Sequence, residues 1–366
     1  MEFDVERTAL LKALQSIIGV VERRQTLPIL ANILLDAREQ RLAITATDLE
    51  VEIQAHAQAE LSQAGETTLP ARKLMDIVRN LPEHADIHVS TSHDRIALQL
   101  PHSRFTLATL PTKDFPTVEE IGQTQDLELT QSHLRWLIDR TGFAMALQDV
   151  RYYLNGLLLE LEPYCLRAVA TDGHRLALAE VVTELPLTET KQVIVPRKGI
   201  QELLRLLTDS DEPLRLELGD NHIRVTWPEV RFTTKLLDGQ FPSYQRVIPK
   251  QNGGCLQVER HTLRQALIRA AILSNEHLHG VRFILGGTSL RICSNNPAQE
   301  EAEEELTAAY DGEAFEIGFN ASYLLDALAA IEESTVEIFL TNANSSALLR
   351  GAGNERCRYV VMPLRL

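Results

Sequence analysis

The feature that most constrains this chain is an internal repeat. The stretch TLPARKLMDIVRNLPEHADIHVSTSHDRIALQLPHSRFTLATLPTKDFP, from Thr68 to Pro116, realigns with IVPRKGIQELLRLLTDSDEPLRLELGDNHIRVTWPEVRFTTKLLDGQFP, from Ile194 to Pro242. Pro70 falls on Pro196, and Phe115-Pro116 falls on Phe241-Pro242. A more divergent third copy runs from Glu316 to the C-terminus. The other half of the unit recurs too: FDVERTALLKALQSII, LELTQSHLRWLIDRTGFA and LQVERHTLRQALIRAAIL each read as a short strand, a polar cap and a helix with apolar residues at helical spacing. Self-similarity of this kind means one structural unit used three times.

The repeat predicts three α+β domains, over residues 1–125, 126–253 and 254–366, each with two helices packed on antiparallel sheets of about eight strands. Antiparallel hairpins are expected because most adjacent strands are joined by connections too short for a crossover. Helices are predicted at Arg7–Ile18, Ala71–Asn80, Gln131–Gly142, Arg197–Leu207, Arg260–Ala271 and Ala321–Ile331. With 366 residues, 44% of them apolar, the chain has ample material for several packed cores.

No run of 18 apolar residues appears, and MEFDVERTALL lacks the features of a secretory signal, so a cytoplasmic protein with no membrane partner is expected. Cys165, Cys255, Cys293 and Cys357 are far apart without C-x-x-C spacing, which argues against a zinc site or a disulfide framework. His277-x-His279 has no evident third ligand, so no metal is expected there either. No G-x-x-x-x-G-K-[ST] loop is present, so the chain is not expected to hydrolyse ATP or to hold a cofactor of that kind.

Asp172 and His174, in AVATDGHRLALAE, look at first like an acid/base pair. The repeat argues otherwise, because ATDLE in the first copy stands where ATDGH stands in the second, and it has no histidine. Thr-Asp recurring between strands is the signature of a turn in which Asx side chains cap backbone groups. An Asp/His hydrolase on this scaffold remains the catalytic alternative, and it lacks a nucleophile motif such as G-x-S-x-G.

Net charge is −15, which taken alone disfavours a nucleic-acid partner. The distribution reverses that reading. The six predicted helices hold thirteen Lys or Arg against four acids, while the rest of the chain holds 23 basic and 47 acidic residues. Helices gathered on one surface would form a phosphate-attracting stripe on an acidic body. No helix-turn-helix, zinc-finger or RNP motif is present and aromatics are only 5%, so contacts indifferent to base sequence are what remains.

Taken together, TLPILANILL, TDLE, QDVRYYLNGLLLE, VATDGHRLA, VPRKG, DGQFPSYQRVIP, AAILSNE, NNPAQEEAEEE and the terminal YVVMPLRL resemble the β subunit of bacterial DNA polymerase III, the sliding-clamp family, over essentially the whole chain. The resemblance implies a head-to-tail homodimer closed into a six-domain ring around double-stranded DNA, helices inside and sheets outside. It implies a processivity factor without a catalytic site. Its partners would be the replicative polymerase, an ATP-dependent clamp loader, and repair and translesion polymerases that dock through short linear peptides. A paralogue serving repair or antibiotic tolerance would look the same.

Site residues follow from the same resemblance. The dimer contact would use Phe105 and Leu107 against Ile272 and Leu273, and Lys73 and Arg104 against Glu300, Glu301, Glu303 and Glu304. DNA contacts would fall on Arg24, Gln148, Tyr152, Tyr153, Arg197 and Lys198; Leu278 and His279 depart from the aromatic-Arg pair of the best-known members. The peptide pocket would have an apolar wall of Leu154, Leu176, Pro242, Val247, Val360, Met362 and Leu364. Its rim would be Arg151, Thr171, Gly173, His174, Arg175, Arg246, Ser346, Pro363 and Arg365, with Gly173 leaving room for a bound backbone. The apolar terminus supports a groove, since strand alternation should expose every second side chain of it.

Overall fold

A computed structural model of the chain describes residues 1–21, 27–118, 121–122, 125–250, 253–276 and 278–365. Six α-helices form among the described residues: α1 (Arg7–Ile17), α2 (Ala71–Arg79), α3 (Gln131–Thr141), α4 (Arg197–Leu206), α5 (Arg260–Ile272) and α6 (Ala321–Ala330). Each lies within a residue of the span its apolar spacing predicts. α1 buries Leu10, Ala13, Leu14 and Ile17, and α5 buries Leu263, Ala266, Leu267 and Ala270, one stripe at i, i+3, i+4 and i+7 in both. Each fully buried leucine on such a stripe stabilises the fold by roughly 1.5–3 kcal/mol. The start of α5 is capped by the Glu259 carboxylate, which accepts the backbone N–H groups of His261 (2.9 Å) and Thr262 (2.5 Å), and α6 is capped in the same way by Asn320.

The chain divides into two compact units, Met1–Ser132 with Gln201–Leu236, and His133–Ile200 with Leu237–Leu366. The first unit holds two sheets. One has five strands in the order Glu60–Gln63, Glu2–Glu6, Asp86–Ser92, Arg95–Leu100, Ser103–Ala108. The other has eight, in the order Gln125–Thr130, Pro213–Leu218, His222–Trp227, Val230–Lys235, Val51–Gln58, Arg41–Thr47, Asn32–Arg38, Gly65–Pro70. The second unit holds a nine-stranded sheet ordered Lys191–Pro196, Gly156–Glu162, Cys165–Thr171, Arg175–Val182, Cys357–Val361, Ala347–Gly351, Thr335–Leu340, Gly254–Glu259, Ala309–Tyr310. Its other sheet has four strands, Glu301–Thr307, Ser289–Asn295, Gly280–Gly286 and Glu316–Asn320. The strand pairs are antiparallel throughout.

The two large sheets are shared between repeats. In the first unit Val51–Gln58 of copy one pairs with Val230–Lys235 of copy two, with Glu52 opposite Thr233. In the second unit Arg175–Val182 of copy two pairs with Cys357–Val361 of copy three, with Leu176 opposite Val360. These two seams are equivalent bond for bond: the Lys235 N–H donates to Glu50 O at 3.0 Å in one, and the Met362 N–H to His174 O at 2.9 Å in the other. Helix starts repeat as well. The first N–H of α1, α3 and α5 donates to Ala85 O, Glu212 O and Ser334 O respectively.

Candidate functional site

The Thr171–Arg175 stretch is a turn built by its own side chains. Asp172 Oδ1 accepts the N–H groups of His174 (2.9 Å) and Arg175 (3.0 Å), and Thr171 Oγ1 accepts the Gly173 N–H at 3.1 Å. The first copy makes the same turn: Asp48 Oδ1 accepts from Glu50 and Val51, and Thr47 Oγ1 from Leu49. Gly173 and Leu49 both sit in the left-handed region, at φ 89° and 79°. A Cβ on Gly173 would stand 3.0 Å from Arg151 Nη2, because the guanidinium reaches across the turn to Asp172 O. Arg151 is also tied to Asp149 (2.8 Å), and its hydrogen bonds hold the Asp149 carboxyl at a pKa of about 2.

Arg175 is a strut. Its side chain is 13% exposed, bridges Asp172 (3.0 Å) and Asp326 of α6 (2.5 Å), and donates to Phe143 O at 2.9 Å. It also lies over the rings of Phe143 and Tyr323, at 5.4 and 4.6 Å. His174 is exposed and stacks on Tyr323 with 6.5 Å between ring centroids. Sequence reasoning missed Tyr323 and Asp326, one helical turn apart on α6; an aromatic and an acid at i, i+3 were the available signal.

Leu176 and Val360 belong to a buried cluster that includes Leu158, Phe241, Tyr244 and Leu348, and Leu154 is buried too. The terminal strand does not alternate as expected: Tyr359, Val360 and Val361 are each 1% exposed. Both faces are covered, Tyr359 meeting the Phe143 ring at 6.0 Å and Val360 lying in the Phe241/Tyr244 cluster. Exposure begins at Met362 (42%); Val247, whose N–H donates to the carbonyl of the cluster residue Tyr244, is 39% exposed. Pro242, Arg246 and Arg365 are exposed, and Ser346, Pro363, Leu364 and Thr171 are half-buried. The Leu364 N–H is fixed to Gly318 O at 2.8 Å. Behind Val247, Tyr244 donates to Glu160 at 2.5 Å and accepts from Arg167 at 3.1 Å, which anchors the short helical turn Tyr244–Arg246.

Arg24 and His277 lie outside the described residues. Gln148 has φ 56°, Tyr152 is 54% exposed, and half-buried Tyr153 meets it edge to face at 5.9 Å. Arg197 donates to Met145 O at 2.8 Å and so pins the loop that carries them; Lys198 follows it on α4. Several helix cations are neutralised locally: Lys12 by Glu229, Arg135 by Asp139, Arg140 by Glu332, Arg205 by Glu202 and Arg269 by Glu304. Arg7, Arg72 and Arg260 spend hydrogen bonds on backbone carbonyls. Among the described residues, Lys73, Arg79 and Arg264 keep side chains with no partner. Leu278 and His279 are exposed, and no group of three metal-ligating side chains forms among the described residues.

Strand Ser103–Ala108 ends the five-stranded sheet and Glu301–Thr307 ends the four-stranded one, so among the described residues each is paired on one side only. Arg104, Lys73, Glu300, Glu301 and Glu303 are exposed, and Phe105, Leu107 and Leu273 are half-buried. Ile272, at the end of α5, is 73% exposed. Glu304 is already bound to Arg269 at 2.6 Å, and Glu303 stands 3.6 Å from Arg291.

Three family descriptions match the chain in succession: DNA polymerase III beta subunit, N-terminal domain (residues 1–119), central domain (128–243) and C-terminal domain (245–365). Over the whole of both chains it is 53% identical to the beta sliding clamp of Pseudomonas putida and 47% to that of Escherichia coli. The crystal structure of the DNA polymerase III subunit beta from Pseudomonas aeruginosa, 51% identical, matches it with a TM-score of 0.98 over all of both chains. A Pseudomonas aeruginosa sliding clamp bound to griselimycin, 52% identical, matches at 0.97 over the same extent.

Proposed function

The chain belongs to the DNA polymerase III beta subunit family, the beta sliding clamps, and we propose that two copies close head to tail into a ring that encircles duplex DNA in the cytoplasm, with repeat boundaries near residues 125 and 253. It is a DNA sliding clamp, a processivity factor and not a catalyst. The observation that carries this is the 53% identity spanning the whole of both chains. A topological link tolerates weak contacts to phosphates, because retention does not depend on affinity, and the local neutralisation of helix cations fits that weakness. Gln148, Tyr152, Tyr153, Arg197, Lys198 and Arg24 are the DNA contacts in this reading.

The register of ring closure follows from the two internal seams. Glu301 is the third-copy counterpart of Glu52 and Leu176, since it pairs with Asn295 as they pair with Thr47 and Thr171. The RFT of Arg104–Thr106 matches that of Arg231–Thr233. Transferred to two copies, the seam register sets Glu301 opposite Thr106, Ala302 opposite Phe105 and Glu303 opposite Arg104. Opposite charges thus face each other across the joint.

Val247 and Met362, above the Leu176/Val360 cluster and edged by His174, Arg246 and Arg365, take the apolar anchors of short peptides from polymerases, loader and repair proteins. The ring is tested by loading the protein onto nicked circular DNA with a clamp loader, raising salt, and cutting the circle. Retention on circles with escape from linear ends is expected. Salt-sensitive release from both would mark ordinary electrostatic binding and overturn the reading.

A further inference from the structure

The first seam shows how two helix ends are locked. Arg205 of α4 donates to the carbonyls of Gln15 (2.9 Å) and Ser16 (2.5 Å) in the last turn of α1, while Glu202, one turn earlier on α4, pairs with Arg205. The cation thereby satisfies carbonyls that a helix end leaves without partners. Glu202 lies against Gly19, where a Cβ would collide with its carboxylate. In the second seam Asp326, the α6 counterpart of Glu202, holds Arg175, and Arg175 donates to the carbonyl of Phe143, the counterpart of Gly19. Both internal seams therefore place an acid of the later helix and an arginine at the closing turn of the earlier one.

The same elements stand unused on α2 and α5. Counting from the helix starts, Asp76 and Arg79 of α2 are the counterparts of Glu202 and Arg205; both are exposed, and the Arg79 side chain has no partner. On α5, Ile268, Arg269 and Ile272 are the counterparts of Gln15, Ser16 and Gly19. The match is supported by backbone bonds, for Val20 donates to Ile17 O as Leu273 does to Ala270 O, and Val21 to Ile18 O as Ser274 does to Ala271 O. Where Gly19 meets the longer Glu202, bulky Ile272 has the shorter Asp76 as its counterpart acid, a compensating pair of sizes. Arg269, which would otherwise repel an incoming arginine, is neutralised by Glu304.

We infer that Arg79 of one copy caps α5 of a second copy by donating to the carbonyls of Ile268 and Arg269, with Asp76 orienting the guanidinium and Ile272 packing over the pair. This rests on the ring closure proposed above. The experiment measures the dimer dissociation constant by dilution of fluorescently labelled full-length protein, together with subunit exchange and thermal unfolding. Arg79→Ala is expected to weaken the dimer about tenfold, the scale of a hydrogen bond to a charged group, and to speed exchange, with the unfolding of separated chains unchanged. Arg79→Lys, which keeps charge but not the fork, should fall between Arg79→Ala and the parent chain. A dissociation constant within twofold of the parent in Arg79→Ala, or a lowered unfolding midpoint of the separated chain, overturns the inference. Leu107→Asp separates the two claims: if it leaves the dimer intact, the ring-closing register itself fails, whereas loss of the dimer with Leu107→Asp and no change with Arg79→Ala removes only the Arg79 contact.

Discussion

The two internal seams share a backbone and differ in what they bury. At the first, Glu52 is 4% exposed and accepts the N–H of Val118 at 2.9 Å, and its neighbours Thr233 and Thr234 are fully buried. Burial pushes the Glu52 carboxyl above its ordinary range, against the pull of the Val118 N–H, Arg231 and Arg224. At the second, the same position is Leu176, opposite Val360, and the connecting segment packs on it through the apolar side chains of Phe241 and Tyr244, the latter held by Glu160. The linker thus meets the first seam through a polar contact and the second through apolar ones, and at the second Val247 and Met362 remain exposed. In the peptide-docking reading proposed above, a recruiting groove arises from residue choice at one of two equivalent joints, and the fold alone does not make one.

Exchanging residues between the seams tests that contrast. Leu176→Glu gives the second seam the acid of the first without its linker N–H, and should destabilise the protein by about 3 kcal/mol or more in a denaturant titration. Its carboxyl pKa would be raised in the folded state, so the deficit should be largest at neutral pH and shrink as pH falls through that raised value. A deficit independent of pH would mean that the carboxylate finds a partner. Met362→Ala with Val247→Ala removes the two exposed anchors and should weaken a polymerase-derived peptide about tenfold or more by calorimetric titration, with the dimer intact. Unchanged affinity would remove the groove from this seam. This pair is a cleaner test than Met362→Ala with Leu176→Ala, because Leu176 is a core residue whose truncation costs about 2–5 kcal/mol by itself. The smallest effect is expected at the turns: Leu49→Gly relieves a left-handed leucine, offset by the entropy of glycine in the unfolded chain, and should raise stability by about 0.5 kcal/mol. A clear loss would show that the Leu49 side chain earns its strained backbone through packing.

Much of this was legible beforehand because it is local. Helix spans follow from apolar spacing, and the Thr-Asp turn follows from side chains that bond within three residues. What was not legible depends on distant partners. Arg175 reads as a rim residue beside His174, yet the acid that fixes it, Asp326, is 151 residues away. Val360 reads as half of an alternating strand, yet Phe143 and the linker cover both faces of that strand. The sharing of sheets between repeats also escaped the sequence, since no local pattern says that the strand after a turn pairs with the next copy.

The bare strand Glu301–Thr307 carries carboxylates at 301, 303 and 305 on one face and at 304 on the other. Two such strands laid against each other would align acid with acid, so identical ends of two molecules repel, and the tip of the sheet is guarded against indiscriminate self-pairing and fibre growth. That guard is electrostatic and exposed, so concentrated salt loosens it.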